Sequence, residues 1–437
     1  MIKNIFTNTT GIFVSRIFGF ARDLLMASVL GANIYTDIFF VAFKLPNLFR
    51  RIFGEGAFTQ VFIPSFSSTK YKISFSTVIF WQFFSFIVFL SVLVAIFSGV
   101  ATTIIAVGFD RTTINMASPI VAICFFYLPL IFVVTFLSAI LQYRKHFATS
   151  AFSTALLNIS LITALIISKD YDKFDIVYYL SFAVIFGGFL QVFAHLIAIK
   201  SLNIKVWTSN IKKAQKRYKN SKFYKQFLPA VFGSSAAHIS AFLDTFLASF
   251  LSFGTISYLY YANRIFQLPF ALFSVAVSIA IFPTIAKNIS KQDESTAKQY
   301  MRKATYLVVA MLSIATTIGI VFDEQIIKLL FFRGEFSLND VANTANILSA
   351  YLLGLLPYGL SKIYMLWLYS KERQKRAAII TAYSLVWNIV LSLLLIVPFG
   401  AVGLAVASSF GGFVLLYLSI KEFGFKKFYK LVFINKD

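Results

Sequence analysis

Three observations predict an all-α, polytopic membrane protein. The 437 residues are 59% hydrophobic and only 13% charged, against about 45–50% apolar and ~25% charged in soluble domains. Apolar runs of about 20 residues, each long enough to cross a bilayer, recur along the whole length. These runs lack the period-two alternation and the frequent turn signals of a β-barrel.

Twelve spans are read at roughly 5–30, 36–66, 77–107, 117–142, 151–168, 176–199, 226–251, 255–286, 304–322, 343–369, 377–397 and 400–420. The first carries Arg16, Arg22 and Asp23 and has no compact apolar region followed by a small-residue cleavage site. It reads as a retained helix and not a cleaved signal. Alternate loops separate sharply in basic residues. One set holds Lys3, Lys70, Lys72, Arg144, Lys145, nine basic residues in 200–225, five in 287–303, Lys371, Arg373, Lys375, Arg376 and the tail lysines. The opposite set holds only Arg111, Lys169, Lys173, Lys328 and Arg333. Basic loops stay on the cytoplasmic side, so a multi-pass chain with both termini cytoplasmic is expected. The net charge of +23 then reflects topology and contact with anionic membrane lipids, not nucleic-acid binding.

Charge inside the first two spans is the most specific feature. Arg16, Arg22, Asp23, Asp37, Lys44, Arg50, Arg51 and Glu55 all lie in otherwise apolar sequence. A charge at the bilayer centre costs about 2.5–3.5 kcal/mol, so each must meet a partner or water. Arg16 and Asp23 share a helix face two turns apart, and Arg22 projects roughly 120° away unless the helix breaks at Gly19. Arg51 and Glu55 are spaced to pair at i and i+4. Pro46 kinks the second span. Two readings stand for each charge. In one, Arg51–Glu55 and either Arg22–Asp23 or Arg16–Asp23 are pairs that lock the structure. In the other, surplus cations await an anion. Within the spans Arg16, Arg22, Lys44, Arg50, Arg51, Arg264 and Lys362 outnumber Asp23, Asp37, Glu55 and Asp244. A phosphate or pyrophosphate fits that surplus. Arg22, Arg50 and Arg264 are assigned to it. Asp37, Arg51 and Glu55 are assigned to structure or gating, and Lys44 and Lys362 fit either role.

Features recur about 220–230 residues apart. Asp23 matches Asp244, Lys44 matches Arg264 and Pro64 matches Pro283. Leu128 and Pro129 match Leu356 and Pro357, and Asn158 matches Asn388. Phe186, Gly187, Gly188 and Phe189 return as Phe410, Gly411, Gly412 and Phe413. The pattern predicts two parallel six-helix lobes, 1–199 and 226–437, joined by a basic linker at 200–225. Transporters built this way bind substrate at the midplane and alternate access. The linker, with Ile204, Val206, Trp207 and Ile211 among basic residues, suits either a stretch at the cytoplasmic interface or a solvated connection. The loop 323–341 is a candidate for a short re-entrant or interfacial piece.

Other classes are weaker fits. One cysteine, Cys124, excludes a disulfide framework, and His146, His195 and His238 are too scattered for a metal centre. A lipid-phosphate glycosyltransferase would need acids at the membrane edge. Asp323, Glu324, Glu335 and Asp340 are available but lack metal-binding spacing. A cation-coupled drug exporter should keep unpaired acids, which the basic surplus opposes. No nucleotide-binding loop is present, and the chain reads as a transporter and not an enzyme.

The stretches 15–32 (SRIFGFARDLLMASVLGA), 36–66 (TDIFFVAFKLPNLFRRIFGEGAFTQVFIPSF) and 258–287 (YLYYANRIFQLPFALFSVAVSIAIFPTIAK) closely resemble the MurJ (MviN) family of lipid II flippases, within the multidrug/oligosaccharidyl-lipid/polysaccharide exporter superfamily. The resemblance covers essentially the whole chain. It implies two six-helix lobes around a cationic central cavity, in a monomer of the bacterial cytoplasmic (inner) membrane. The implied activity is transfer of lipid II, an undecaprenyl-pyrophosphate-linked precursor, to the outer leaflet for peptidoglycan synthesis; another lipid-linked oligosaccharide is the alternative. The family's cavity arginines fall on Arg16, Arg22, Arg50 and Arg264, and its motif acids on Asp23, Asp37 and Glu55. Three departures are visible. Typical members carry fourteen helices, so twelve here resemble a short form lacking the last two, which line a groove for the lipid tail. Asn263 and Gln267 stand where many members have acids. Some members bind sodium in the second lobe. Asp244 and Asn388 fit that pattern, whereas Ser392 stands where an aspartate is expected.

Overall fold

The computed structural model describes residues 2–50, 57–208, 210–217 and 221–433. Its regular structure is helical throughout, with no strand among the described residues. The chain is an all-α polytopic protein, and among the described residues eight helical segments are long and apolar enough to cross a membrane. It divides into two compact units: residues 1–238 with 333–335, and residues 239–332 with 336–437.

The first unit contains α1 (Ile2–Leu30), α2 (Ile34–Phe49), α3 (Ala57–Ser68), α4 (Lys72–Ile96), α5 (Ser98–Ile105), α6 (Arg111–Phe125), α7 (Tyr127–Tyr143), α8 (Ala148–Ser168), α9 (Lys173–Ser201) and α10 (Ile211–Arg217). Next comes α11 (Ser221–Ala248), within which the division falls. Segments read as single spans at 77–107 and 117–142 are each two helices in succession. Asn33 sets the start of α2, its Oδ1 accepting from the N–H groups of Tyr35 at 2.9 Å and Thr36 at 3.3 Å. Asp110 caps α6 in the same way, and hydrogen bonds from Thr113 hold its carboxyl below the ordinary range.

Phenylalanine builds the core of this unit. Phe58 packs on Phe62, Phe83, Phe132 and Phe223 with ring centroids 5.1–6.2 Å apart, and Phe62 on Phe75 and Phe136 at 5.2 Å. Rings from α3, α4, α7 and α11 thereby fill one interior, and offset and edge-on pairs add stability beyond burial. The segment between α9 and α10 docks on α4. Ser76 Oγ donates to the Val206 carbonyl at 2.5 Å, and the Thr208 N–H donates to Thr77 Oγ1 at 3.0 Å. Trp207 lies edge-on to Phe80 at 5.0 Å. The first part of the predicted linker is therefore packed structure, with Lys205, Lys212, Lys213 and Lys216 left exposed.

The second unit contains α12 (Thr255–Pro269), a π-helical stretch (Phe270–Val275), α13 (Ala276–Ser290), α14 (Glu294–Val321), α15 (Asp323–Phe331), α16 (Leu338–Leu352), α17 (Leu355–Ser370), α18 (Gln374–Phe423) and α19 (Phe425–Phe433). The π-helical stretch follows Pro269, whose missing N–H loosens the backbone ladder. Ser274 in that stretch donates to the Gly359 carbonyl at 2.9 Å. Gly400, at φ 54 and ψ −131, breaks α18 into two arms, and Gly403 packs so tightly on the Leu395 backbone that a Cβ would collide. Asp293 caps α14, and hydrogen bonds from Thr296 hold its carboxyl low. The segment 323–341 contains a short helix, α15, which packs on α16. Phe331 and Phe336 close on Tyr261 at 5.1 and 5.7 Å.

Repeated sequence features make repeated contacts. A Cβ at Gly188 would come within 2.8 Å of Leu130, and one at Gly412 within 2.8 Å of the Tyr358 ring. Leu130 and Tyr358 each follow the matched prolines Pro129 and Pro357. A Cβ at Gly187 would meet Leu157, and one at Gly411 the Asn388 Cβ. The glycine pair is thus a notch for close helix packing in both units. At Gly187 a side chain would meet the Leu157 Cα at 3.0 Å, a backbone atom that cannot swing aside. Gly187→Val is expected to force α8 and α9 apart and to cost about 1–3 kcal/mol, read as a lower melting temperature of the purified protein in detergent.

Candidate functional site

The site is built from charges placed on apolar helices. In the first unit, α1 runs unbroken past Gly19 and lies along α8. Asp23 is fully buried. Arg22 donates to Asp23 Oδ1 through Nε at 3.1 Å and Nη2 at 2.5 Å. Its Nη1 donates to Asn158 Oδ1 at 3.0 Å. The Asn158 amide in turn donates to the Ser15 carbonyl at 3.2 Å, and Ser15 Oγ to the Ala151 carbonyl at 2.9 Å. The chain Asp23–Arg22–Asn158–Ser15 stitches α1 to α8.

Of the two pairings left open by spacing, the structure selects Arg22–Asp23. Adjacent helical residues project about 100° apart, so this geometry depends on the long arginine side chain wrapping round. Arg16 is exposed and makes no ion pair with a described residue. Asn158, which sequence reasoning noted only as a repeat match, is the residue that orients the guanidinium. Its recurrence as Asn388 was the available signal.

On α2, Asp37 is buried in the first turn, where the helix N-terminus stabilises a carboxylate. Lys44, seven residues on and therefore on nearly the same face two turns along, is half-buried. Pro46 lies in the last turn, and Arg50 caps the helix with its N–H to the Pro46 and Asn47 carbonyls. The Arg50 Nε donates to Asn47 Oδ1 at 3.1 Å, which fixes the start of its side chain. Arg51 and Glu55 lie outside the described residues.

In the second unit, Arg264 is half-buried on α12. Gln267 donates through its amide nitrogen to Asn263 Oδ1 across one helical turn. Asp244 lies half-buried on α11. Asn388 and Ser392, one turn apart on α18, are 3% and 1% exposed. The Asn388 amide nitrogen and the Ser392 hydroxyl have no hydrogen-bond partner among the described residues. Native interiors leave few such groups unsatisfied.

Three of the four acids considered for a transferase, Asp323, Glu335 and Asp340, hold partners of the fold. Asp340 forms the capping box with Ser337 and accepts from Tyr258 at 2.7 Å. Asp323 accepts from Ser349 at 2.5 Å. Glu335, which clusters with the first unit, pairs with Lys173 at 2.6 Å. No group of three or more metal-ligating acids, histidines or cysteines occurs among the described residues.

The buried network makes a graded prediction. Asp23→Ala removes the carboxylate that holds a mostly buried guanidinium and should destabilise by about 3–5 kcal/mol. Asn158→Ala removes one charge-assisted bond and should cost about 1.5–3 kcal/mol. Chemical unfolding in detergent checks both values and their order.

Comparison with known proteins places this geometry. A family model described as "Lipid II flippase MurJ" matches residues 26–434. The chain is 45% identical over 423 residues to a probable lipid II flippase MurJ of Helicobacter pylori strain ATCC 700392 / 26695, covering 93% of this chain and 92% of that one. It is 32% identical over 427 residues to the corresponding protein of Haemophilus influenzae, covering 93% and 82%. A solved lipid II flippase MurJ in an inward closed conformation superposes with a TM-score of 0.84 at 26% identity, covering 97% of this chain and 89% of that one. An inward-facing multidrug MATE transporter shares the fold at a TM-score of 0.74 and 12% identity, covering 94% of each chain. With charged α1, α2 and α12 on a fold shared with that flippase, and a family model spanning nearly its whole length, the chain belongs to the lipid II flippase MurJ family.

Proposed function

We propose that this chain moves an undecaprenyl-pyrophosphate-linked peptidoglycan precursor from the cytoplasmic to the periplasmic leaflet by alternating access. The pyrophosphate is held by Arg16, Arg22, Arg50 and Arg264. The observation that carries the reading is the exposure of these arginines: all four keep surface on otherwise apolar helices. Guanidinium groups bind phosphate oxygens in a two-pronged geometry that lysine does not reproduce. The Asp23–Asn158 network supports it by holding the Arg22 side chain in one orientation before substrate arrives. No bond is made or broken. An anion moving outward follows an inside-negative potential, worth about 2.3 kcal/mol per charge per 100 mV.

The protein works as a monomer of two repeated lobes with both termini in the cytoplasm, its basic loops against anionic lipids. Asp37, Lys44, Arg51 and Glu55 serve gating or structural pairing. Asp244, Asn388 and Ser392 would hold a sodium ion. One acid with neutral oxygens suits a hard monovalent cation, and the buried Ser392 hydroxyl oxygen, which has no hydrogen-bond partner among the described residues, supports that assignment.

Two measurements test this. The first is outer-leaflet accessibility of lipid II in cells depleted of their own flippase, with variants at matched membrane levels. Arg22→Ala, Arg50→Ala and Arg264→Ala should each lower it at least about tenfold, the effect of one charge-assisted hydrogen bond, while wild type restores it. Full activity in all three variants would remove the arginine clamp. The second is thermal unfolding in sodium against potassium chloride. Sodium should raise the melting temperature of wild type and leave Asp244→Asn and Asn388→Ala unchanged.

A further inference from the structure

The helix α19 displays three different faces at one end of the second unit. Phe428 and Leu431 face inward: Phe428 packs edge-on to Tyr364 at 5.5 Å, and Leu431 is buried. The Tyr306 hydroxyl pins the helix by donating to the Val432 carbonyl at 2.5 Å. Phe425, Tyr429 and Phe433, spaced four apart, are 48%, 57% and 67% exposed. Lys426 and Lys430 are exposed and project next to that aromatic row, since 100° per residue places them on the adjoining sector.

A cationic cluster fixes the orientation of the helix. Glu294 pairs with Lys371 at 2.6 Å, Lys298 at 3.2 Å and Lys427 of α19 at 4.0 Å. The same three lysines ring Trp367, with Nζ 4.5, 5.9 and 6.0 Å from its ring centroid. One carboxylate among three ammonium groups leaves the cluster positive.

Connectivity places α19 at a membrane boundary. It follows the apolar α18 directly, and Gly424, at φ 104, turns the chain between them. A helix in that position with aromatics on one sector and lysines on the next matches an interfacial helix, whose rings enter the boundary between headgroups and acyl chains. We propose that α19 seats on an anionic phospholipid leaflet, with Phe425, Tyr429 and Phe433 in the boundary layer and Lys426 and Lys430 on the lipid phosphates. This rests on the reading that the basic loops meet anionic lipid, and it names the site.

The full chain tests it. A fluorophore sensitive to polarity is attached at Phe433→Cys in a Cys124→Ser background. The protein is reconstituted in phosphatidylcholine vesicles with or without phosphatidylglycerol, carrying spin-labelled lipid as quencher. Phosphatidylglycerol retained per chain is counted in parallel by native mass spectrometry. Quenching should be strong with phosphatidylglycerol present. Lys426→Gln/Lys430→Gln, which disturbs no ion pair of the fold, should lower retention about fivefold per lysine. A probe left in water overturns the proposal and leaves the aromatic face to a protein partner. Equal quenching without phosphatidylglycerol, unmoved by the lysine variants, overturns headgroup recognition. If Lys212→Gln/Lys213→Gln/Lys216→Gln lowers retention and the α19 variant does not, the general lipid reading stands and this site fails. If neither does, both fail.

Discussion

Asp23, a carboxylate wholly shut off from solvent in an apolar helix, is the constraint around which the first unit is arranged. An isolated charge there would be strongly unfavourable. Its neighbour Arg22 supplies the countercharge, and Asn158, itself bonded to the Ser15 carbonyl, takes the free side of the guanidinium. Each of these bonds also fixes geometry. The network sets α1 against α8 and aims one guanidinium. Such a pair is weak evidence of net stability, since burying both ions carries its own cost. What it does fix is the orientation of the Arg22 side chain.

Close helix packing elsewhere rests on a different device. The two-glycine notch recurs in both units and receives a residue that follows a matched proline. Small residues let helices approach where lipid offers no hydrophobic drive. Large rings fill the rest, and the phenylalanine interior of the first unit also captures the segment carrying Val206 and Trp207. The two halves therefore share a packing scheme while their polar centres differ. Where the first half has Arg22 on Asn158, the second has Asn388 and Ser392 without described partners.

Charge is sorted by location. Within the apolar helices two cations, Arg22 and Arg50, sit beside specific oxygens. Outside them, lysines gather at helix ends, around Glu294 and Trp367 and along α10 and α19. Cations at these ends are solvated and long-stemmed, which suits contact with headgroups. Two acids of the opposite loops, Asp340 and Asp323, are spent on a cap and on single hydrogen bonds.

The helical membrane class, the charged helices and the family were legible in the sequence, because hydropathy, charge inside apolar runs and a long signature are local properties of the chain. So were the paired glycines as points of close helix packing, because a residue without a side chain is the one that lets backbones approach. The partner of Arg22 was not. Spacing on one helix left Arg16–Asp23 and Arg22–Asp23 both open, and the structure shows Arg22 on Asp23 with Asn158 of α8, 136 residues away, on the other side of the guanidinium. Nor did the sequence show that Trp207 docks on α4, or that Asn263 and Gln267 bond to each other. Those outcomes depend on which distant surfaces meet, and contact between elements far apart in the chain is settled by tertiary packing, not by periodicity.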